Sequence, residues 1–213
     1  MDAYIFPLDR LPTGAELEAL IDALPFGKEE RLRLYHIQNP HARRQSLGAL
    51  LALQRLTEAR GLPPCPISRS ALGKPSFVNP ALPHFSLTHA ANLAVAFLGD
   101  TQNDSVGVDL EFVRPRKHLA ALASRFFTTE EYAMWESLGM DTESFYQVWT
   151  RKEAASKYAG KSLLDDLTIP LLYFNTLRLT HGNESGFLTF ASGHCEKPTL
   201  TCADPSLSTA WVL

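Results

Sequence analysis

The chain has little of what would commit it to a membrane, a disulfide scaffold or a nucleic acid. Nowhere in its 213 residues does an apolar run approach the roughly 20 residues that a membrane-spanning helix needs. Cysteine is scarce: Cys65, Cys195 and Cys202 make an odd number without the paired spacing of a zinc site. Reduced thiols in a cytoplasmic protein are the expectation. The opening residues Met1-Asp2-Ala3-Tyr4 have neither the basic start nor the apolar core of a secretion signal. A formal net charge of −3 and the lack of any long basic stretch exclude the general electrostatic footprint of a nucleic-acid binder. No nucleic-acid or membrane partner is therefore expected. One local basic cluster remains, formed by Arg31, Arg33, Arg43 and Arg44.

What is present is an ordinary globular composition, 45% hydrophobic and 20% charged, long enough for one large domain or two small ones. Tyr4-Ile5-Phe6 reads as a short strand. Thr13 and Glu16 have the spacing of a capping box for a helix ending near Pro25. A second helix is predicted from Lys28 to His36. A long third one starts at Asn39-Pro40, with Asn39 as N-cap, and is closed by Gly61. Strands follow at Phe85 to His89, which alternates apolar and polar residues, at the continuous apolar run Leu93 to Leu98, and at Val106 to Val113. Thr128 and Glu131 form a second capping box, and a strong helix runs from about Thr142 to Ala159, stopped by Gly160. Strands are predicted at Leu171 to Leu179, Gly186 to Ala191 and Thr209 to Val212, with a hairpin connection over 181–186. Helices, strands, helices, strands: the order predicts an α+β protein of two halves, 1–101 and 102–213.

Two segments carry candidate chemistry. In Gly107-Val108-Asp109-Leu110-Glu111 the two acids are two apart in extended chain, so both face one side while Val108 and Leu110 anchor the other. Paired carboxylates repel unless a cation lies between them, and such hard oxygen ligands suit Mg²⁺, Mn²⁺ or Ca²⁺. Taken alone, the pair reads more readily as a solvated acidic strand end. On the long second-half helix, Trp149, Glu153 and Lys157 recur every four residues and share one face. Glu153 could be a third ligand and Lys157 a phosphate contact; an exposed Glu–Lys helix pair is the plain alternative. Gly160-Lys161-Ser162 ends a helix instead of opening one, and Ala155 stands where the first glycine of a P-loop belongs, so it is not a P-loop. No serine sits in a nucleophile elbow, and the histidines lack zinc partners.

Taken in order, the segments say more. Gly73-Lys74-Pro75, Phe85-Ser86-Leu87-Thr88-His89, Gly107-Val108-Asp109-Leu110-Glu111, Phe126-Phe127-Thr128-Thr129-Glu130-Glu131-Tyr132 and Trp149-Thr150-Arg151-Lys152-Glu153-Ala154-Ala155-Ser156-Lys157-Tyr158-Ala159-Gly160-Lys161-Ser162-Leu163 form a series. It closely resembles the 4′-phosphopantetheinyl transferases of the larger, surfactin-synthetase-activating type. The motifs span residues 73 to 163, and Arg44 with Gly48 fits the family's Arg-x-x-x-Gly helix.

The resemblance implies a pseudo-dimer of two similar α+β halves, each a small antiparallel sheet packed with a long helix, with the active site in the cleft between them. It implies Mg²⁺-dependent transfer of 4′-phosphopantetheine from coenzyme A, the co-substrate, to a serine of an apo acyl or peptidyl carrier protein, releasing adenosine 3′,5′-bisphosphate. Mn²⁺ could replace Mg²⁺, and a monomer is the expected state. Carried over, Asp109, Glu111 and Glu153 would hold the metal, and Lys157 would meet the pyrophosphate. Arg44, Lys74, Pro75, Thr88 and His89 would bind the nucleotide, as would Lys28 and Arg31, where the spacing differs from the family's. Glu153, or a water on the metal, would take the serine proton. Two positions depart from the pattern: Thr88 stands for the usual serine, and Ala90 for a second serine after the histidine. The carrier's pathway and the role of Glu131 stay open.

Overall fold

The computed structural model describes residues 1–165, 169 and 171–212. In chain order the elements are β1 (Asp2–Pro7), a 3-10 turn (Leu8–Arg10), α1 (Ala15–Asp22), α2 (Lys28–His36), α3 (Pro40–Ala59), β2 (Ile67–Arg69), β3 (Pro75–Phe77), β4 (Phe85–Ala90), β5 (Leu93–Leu98), β6 (Val106–Phe112), α4 (Leu119–Phe126), α5 (Thr129–Ser137), α6 (Thr142–Ala159), β7 (Tyr173–His181), β8 (Glu184–Ser192), β9 (Thr199–Cys202) and β10 (Ser208–Trp211). The architecture is α+β, as the alternation of patterns predicts.

Two four-stranded sheets organise the molecule, in the orders β4-β5-β1-β9 and β10-β7-β8-β6. Helix α3 packs on the first and α6 on the second. Strand β5 explains its own sequence. All six residues from Leu93 to Leu98 are buried because both faces are covered. Ala94, Ala96 and Leu98 join the cluster under α3, while Leu93, Val95 and Phe97 join the cluster shared with the second sheet. There Phe97 meets Phe190 edge-on, ring centroids 5.0 Å apart. A third, largely aromatic cluster built on Trp135, Phe145 and Trp149 holds α4 and α5 against α6.

The first sheet is not wholly antiparallel. Strand β9, from the second half of the sequence, lies parallel to β1 in the register Asp2↔Thr199 to Ile5↔Cys202. Nothing in the pattern announces it: four residues, Thr199-Leu200-Thr201-Cys202, are too few for a periodicity, and the partner is nearly two hundred residues away.

Helix termini follow local chemistry. Asn39 Oδ1 accepts the Ala42 N–H at 3.1 Å with Pro40 in the first turn, and Gly61, at φ +63°, follows the end of α3. The Thr128–Glu131 capping box forms, and a second, unforeseen one links Asp141 and Ser144 at the start of α6. The Thr13–Glu16 box does not form. Gly14 caps α1 in its place with φ +59°, a conformation glycine adopts without strain, and this leaves Glu16 one position short of the box. Among the described residues no helix is long and apolar enough to cross a membrane.

Candidate active site

The site begins at a glycine. A Cβ on Gly107 would lie 2.0 Å from the Ala154 carbonyl oxygen and 2.5 Å from the Tyr158 nitrogen, so only glycine lets β6 lie against the backbone of α6. Two residues on, that contact puts Asp109 beside Lys157: Nζ to Oδ1 is 2.7 Å. Thr88, reaching across from β4, donates its hydroxyl to the same Oδ1 at 3.3 Å and accepts from Lys157 Nζ at 3.2 Å. Asp109 is 5% exposed, yet its other oxygen, Oδ2, has no hydrogen-bond partner among the described residues. An orphaned, buried carboxylate oxygen is costly unless something positive comes to it.

The neighbouring acids show the same shortage of positive charge. Burial, then the charges of Asp109 and Glu153, push the Glu111 carboxyl up to about 7. Burial and the Asp109 charge also raise Glu153 above the ordinary carboxylate range. Lys157 is one cation set among three acids. Among the described residues no group of three acids, histidines or cysteines is drawn tight enough to be a ready-made metal cluster. Carboxylates that repel one another do not close up without the ion. The orphaned Oδ2, the crowded acids and the all-oxygen donor set fit a hard divalent cation.

A cleft of about 520 Å³ opens over these groups, with Lys74, Pro75, Thr88, His89, Asp109, Glu111, Glu153 and Lys157 in its walls. Lys74 Nζ donates to the Tyr158 carbonyl at 2.8 Å, and burial lowers its pKa to about 8. Though the His89 residue is exposed, its ring is crowded by the cleft. That desolvation and the Lys157 charge hold it below the usual histidine value.

Arg44, Lys28 and Arg31 do not line the cleft. The Arg44 guanidinium is occupied with three carbonyls, Pro12 at 2.6 Å and Leu8 and Leu11 at 2.8 Å, tying α3 to the turn after β1. Arg31 donates to the Asp22 and Leu24 carbonyls, and Lys28 is exposed in the first turn of α2. Other basic residues stand at the cleft instead: Arg33, Arg69 and Lys161. The carboxylate of Glu30, 3% exposed, holds the first two, at 2.7 Å from each guanidinium. Burial works to raise Glu30, but hydrogen bonds from Arg69 and Arg33 outweigh it and keep it ionised. The three-residue step from Glu30 to Arg33 was a visible signal; Arg69, on β2, was not.

Glu131 has two structural partners. It accepts the Thr128 N–H at 2.8 Å and pairs at 2.9 Å with Lys152, which is 2% exposed. The pair fastens the start of α5 to the turn of α6 that carries Glu153.

With this geometry in place, kinship is informative. The profile of the 4′-phosphopantetheinyl transferase superfamily matches residues 105–203. A 4′-phosphopantetheinyl transferase of Bacillus subtilis is 30% identical over 215 residues, covering 95% of this chain and 92% of the relative. A second transferase of that organism is 30% identical over 179 residues, 80% and 77% of the two chains. The AcpT transferase of Escherichia coli K12 is 34% identical over 112 residues, 51% of this chain and 56% of its own. Similarity that runs nearly end to end, with motif acids and lysine gathered in one cleft, means that the chain belongs to the 4′-phosphopantetheinyl transferase superfamily.

Proposed function

We propose that the protein transfers 4′-phosphopantetheine from coenzyme A to a serine of an apo carrier protein, with release of adenosine 3′,5′-bisphosphate, and that it works as a cytoplasmic monomer. The observation that carries this reading is the Asp109–Lys157 pair with its orphaned Oδ2, set beside Glu111 and Glu153 in the cleft. Asp109, Glu111 and Glu153 would hold Mg²⁺ or Mn²⁺. When bound, the ion neutralises pyrophosphate charge and lowers the barrier to attack by an oxygen nucleophile. Lys157 places its ammonium where the leaving phosphate gains charge and can give it a proton. Glu153, in the cleft wall, is the group that would accept the proton of the carrier serine. Lys74 and His89 line the wall available to the nucleotide phosphates, with Arg33 and Arg69 adding positive charge.

The test is direct. The protein is incubated with coenzyme A, Mg²⁺ and an apo acyl or peptidyl carrier, and the intact carrier is weighed by mass spectrometry. A phosphopantetheine mass gain on the serine is expected. Coenzyme A hydrolysed beside an unmodified carrier, or bound without reaction, overturns the reading. Asp109→Ala and Glu153→Ala should each abolish transfer while far-ultraviolet circular dichroism stays native. Near-normal turnover in either would remove that residue from the proposed metal set.

A further inference from the structure

A second cavity, of about 370 Å³, adjoins the cleft. His89 and Glu111 stand in the walls of both, so the two spaces meet at the acids. The same elements run through both. Helix α3 gives Ser46 to the cleft and Gln45 to the second cavity, and β6 gives Asp109 to the one and Phe112 to the other. Helix α6 gives Glu153 and Lys157 to the cleft and Tyr146 to the second cavity. Tyr146 and Glu153 are two turns apart on one face of α6, about 10 Å along its axis. Elements that pass from one space to the other make a single groove along the joint of the sheets.

Tyr146 stands out in that groove. It is 6% exposed, and its ring packs on Phe145 with centroids 5.8 Å apart. A buried tyrosine ordinarily finds a partner for its hydroxyl. Among the described residues this one has none. Asp109 Oδ2 is the sealed polar atom without a partner, so the Tyr146 hydroxyl is open to solvent, and the cavity it lines is the space beside it. The two ends of the groove also differ in charge. The cleft has Arg33, Arg69, Lys74, Lys157 and Lys161 in its walls, and the second cavity has Arg114 and no lysine. The phosphates of a nucleotide belong with the cations of the cleft. In a phosphoryl displacement the attacking and leaving oxygens lie roughly in line, on opposite sides of the phosphorus. The leaving oxygen is on the nucleotide phosphate, so the attacking oxygen comes from the other end of the groove.

We propose that the second cavity is the port by which the serine-bearing segment of the carrier reaches the acids, and that the Tyr146 hydroxyl hydrogen-bonds that segment. The inference rests on the proposed transfer reaction. The serine oxygen bonds to the phosphorus that carries pantetheine as that phosphorus releases the oxygen of the nucleotide phosphate, and the serine proton goes to Glu153. Two substitutions test the port. Tyr146→Phe removes only the hydroxyl and should raise KM for the carrier about fivefold, the scale of one neutral hydrogen bond. Its kcat and its coenzyme A affinity, measured by calorimetry, should stay within about twofold. His41 lines the port from the exposed first turn of α3. His41→Trp narrows the entrance by a built clash and should weaken calorimetric binding of the apo carrier about tenfold, with coenzyme A affinity again kept. Should Tyr146→Phe not fold, the surface substitution carries the test. Wild-type protein that binds the carrier without modifying it sinks the transfer reading alone, because the port is still read by calorimetry. Carrier KM and binding unmoved by both substitutions in an active enzyme sink the port alone. Coenzyme A affinity that falls in either variant while that for adenosine 3′,5′-bisphosphate holds would put the pantetheine arm in the cavity and overturn the proposal. A wild-type protein that binds no carrier overturns both.

Discussion

Lys74 sits where its charge is poorly served by water. Its ammonium has one carbonyl partner, Tyr158, and burial brings its pKa down to about 8. The unfolded chain keeps an ordinary lysine near ~10.4. Below about pH 8 both states are charged, and the folded state bears the full cost. Between about 8 and 10.4 the folded state has shed a proton that the unfolded state retains, so this residue makes stability rise with pH there. Lys74→Met should therefore raise the thermal midpoint at pH 7, and its advantage should shrink as pH climbs to 10; an advantage that grows with pH would contradict this account. The acids and Lys157 were legible in the sequence because motif spacing on one strand and one helix gives their faces. The Arg33–Glu30–Arg69 bracket was not, since Arg69 reaches Glu30 across 39 residues of sequence and only the tertiary fold makes them neighbours. Arg44 shows a related limit: its motif position is visible in the sequence, but the bonds of its guanidinium to the Leu8, Leu11 and Pro12 carbonyls are not.

At the scale of elements, what could be read was what is locally encoded. Strand β5 and helices α3 and α6 appear close to the predicted bounds, because an apolar run, an N-cap and a stopping glycine are short-range signals. The start of α1 was misplaced because a glycine at positive φ competed with a side-chain cap, and backbone geometry won. The contact of β6 with α6 makes a sharper demand than either element alone. Its tightest atom is a backbone oxygen, which no rotamer change can move from a new Cβ at Gly107. Gly107→Ala should therefore part strand from helix, at a cost of about 3 kcal/mol or more in urea unfolding, beyond ordinary overpacking. It should also cost turnover in the molecules that remain folded, because Asp109 and Lys157 are carried on the two parted elements.

At the scale of the molecule, strand edges help to join the two halves read from the sequence, beside the hydrophobic cluster they share. The Ser86 and Thr88 hydroxyls of β4 accept from the Val108 and Leu110 amides of β6, and β9 crosses from the second half to pair with β1 in the first sheet. The outer bonds of β9 are those of Thr199 N to the Met1 carbonyl, 3.1 Å, and Ala203 N to the Ile5 carbonyl, 3.3 Å. Ala203→Pro removes the second donor and should cost about 1 kcal/mol, with faster amide exchange in β1. Exchange confined to residues near 203 would mean that β9 is only laid on the sheet and does not help hold it. The crossing also sets a timetable for synthesis. Strand β1 leaves the ribosome nearly two hundred residues before β9, an interval of roughly 10–40 s at ~5–20 residues per second. Until then β1 presents an open edge, the kind of template on which foreign strands pair. The nascent first half must stay clear of its neighbours until β9 arrives to cover that edge.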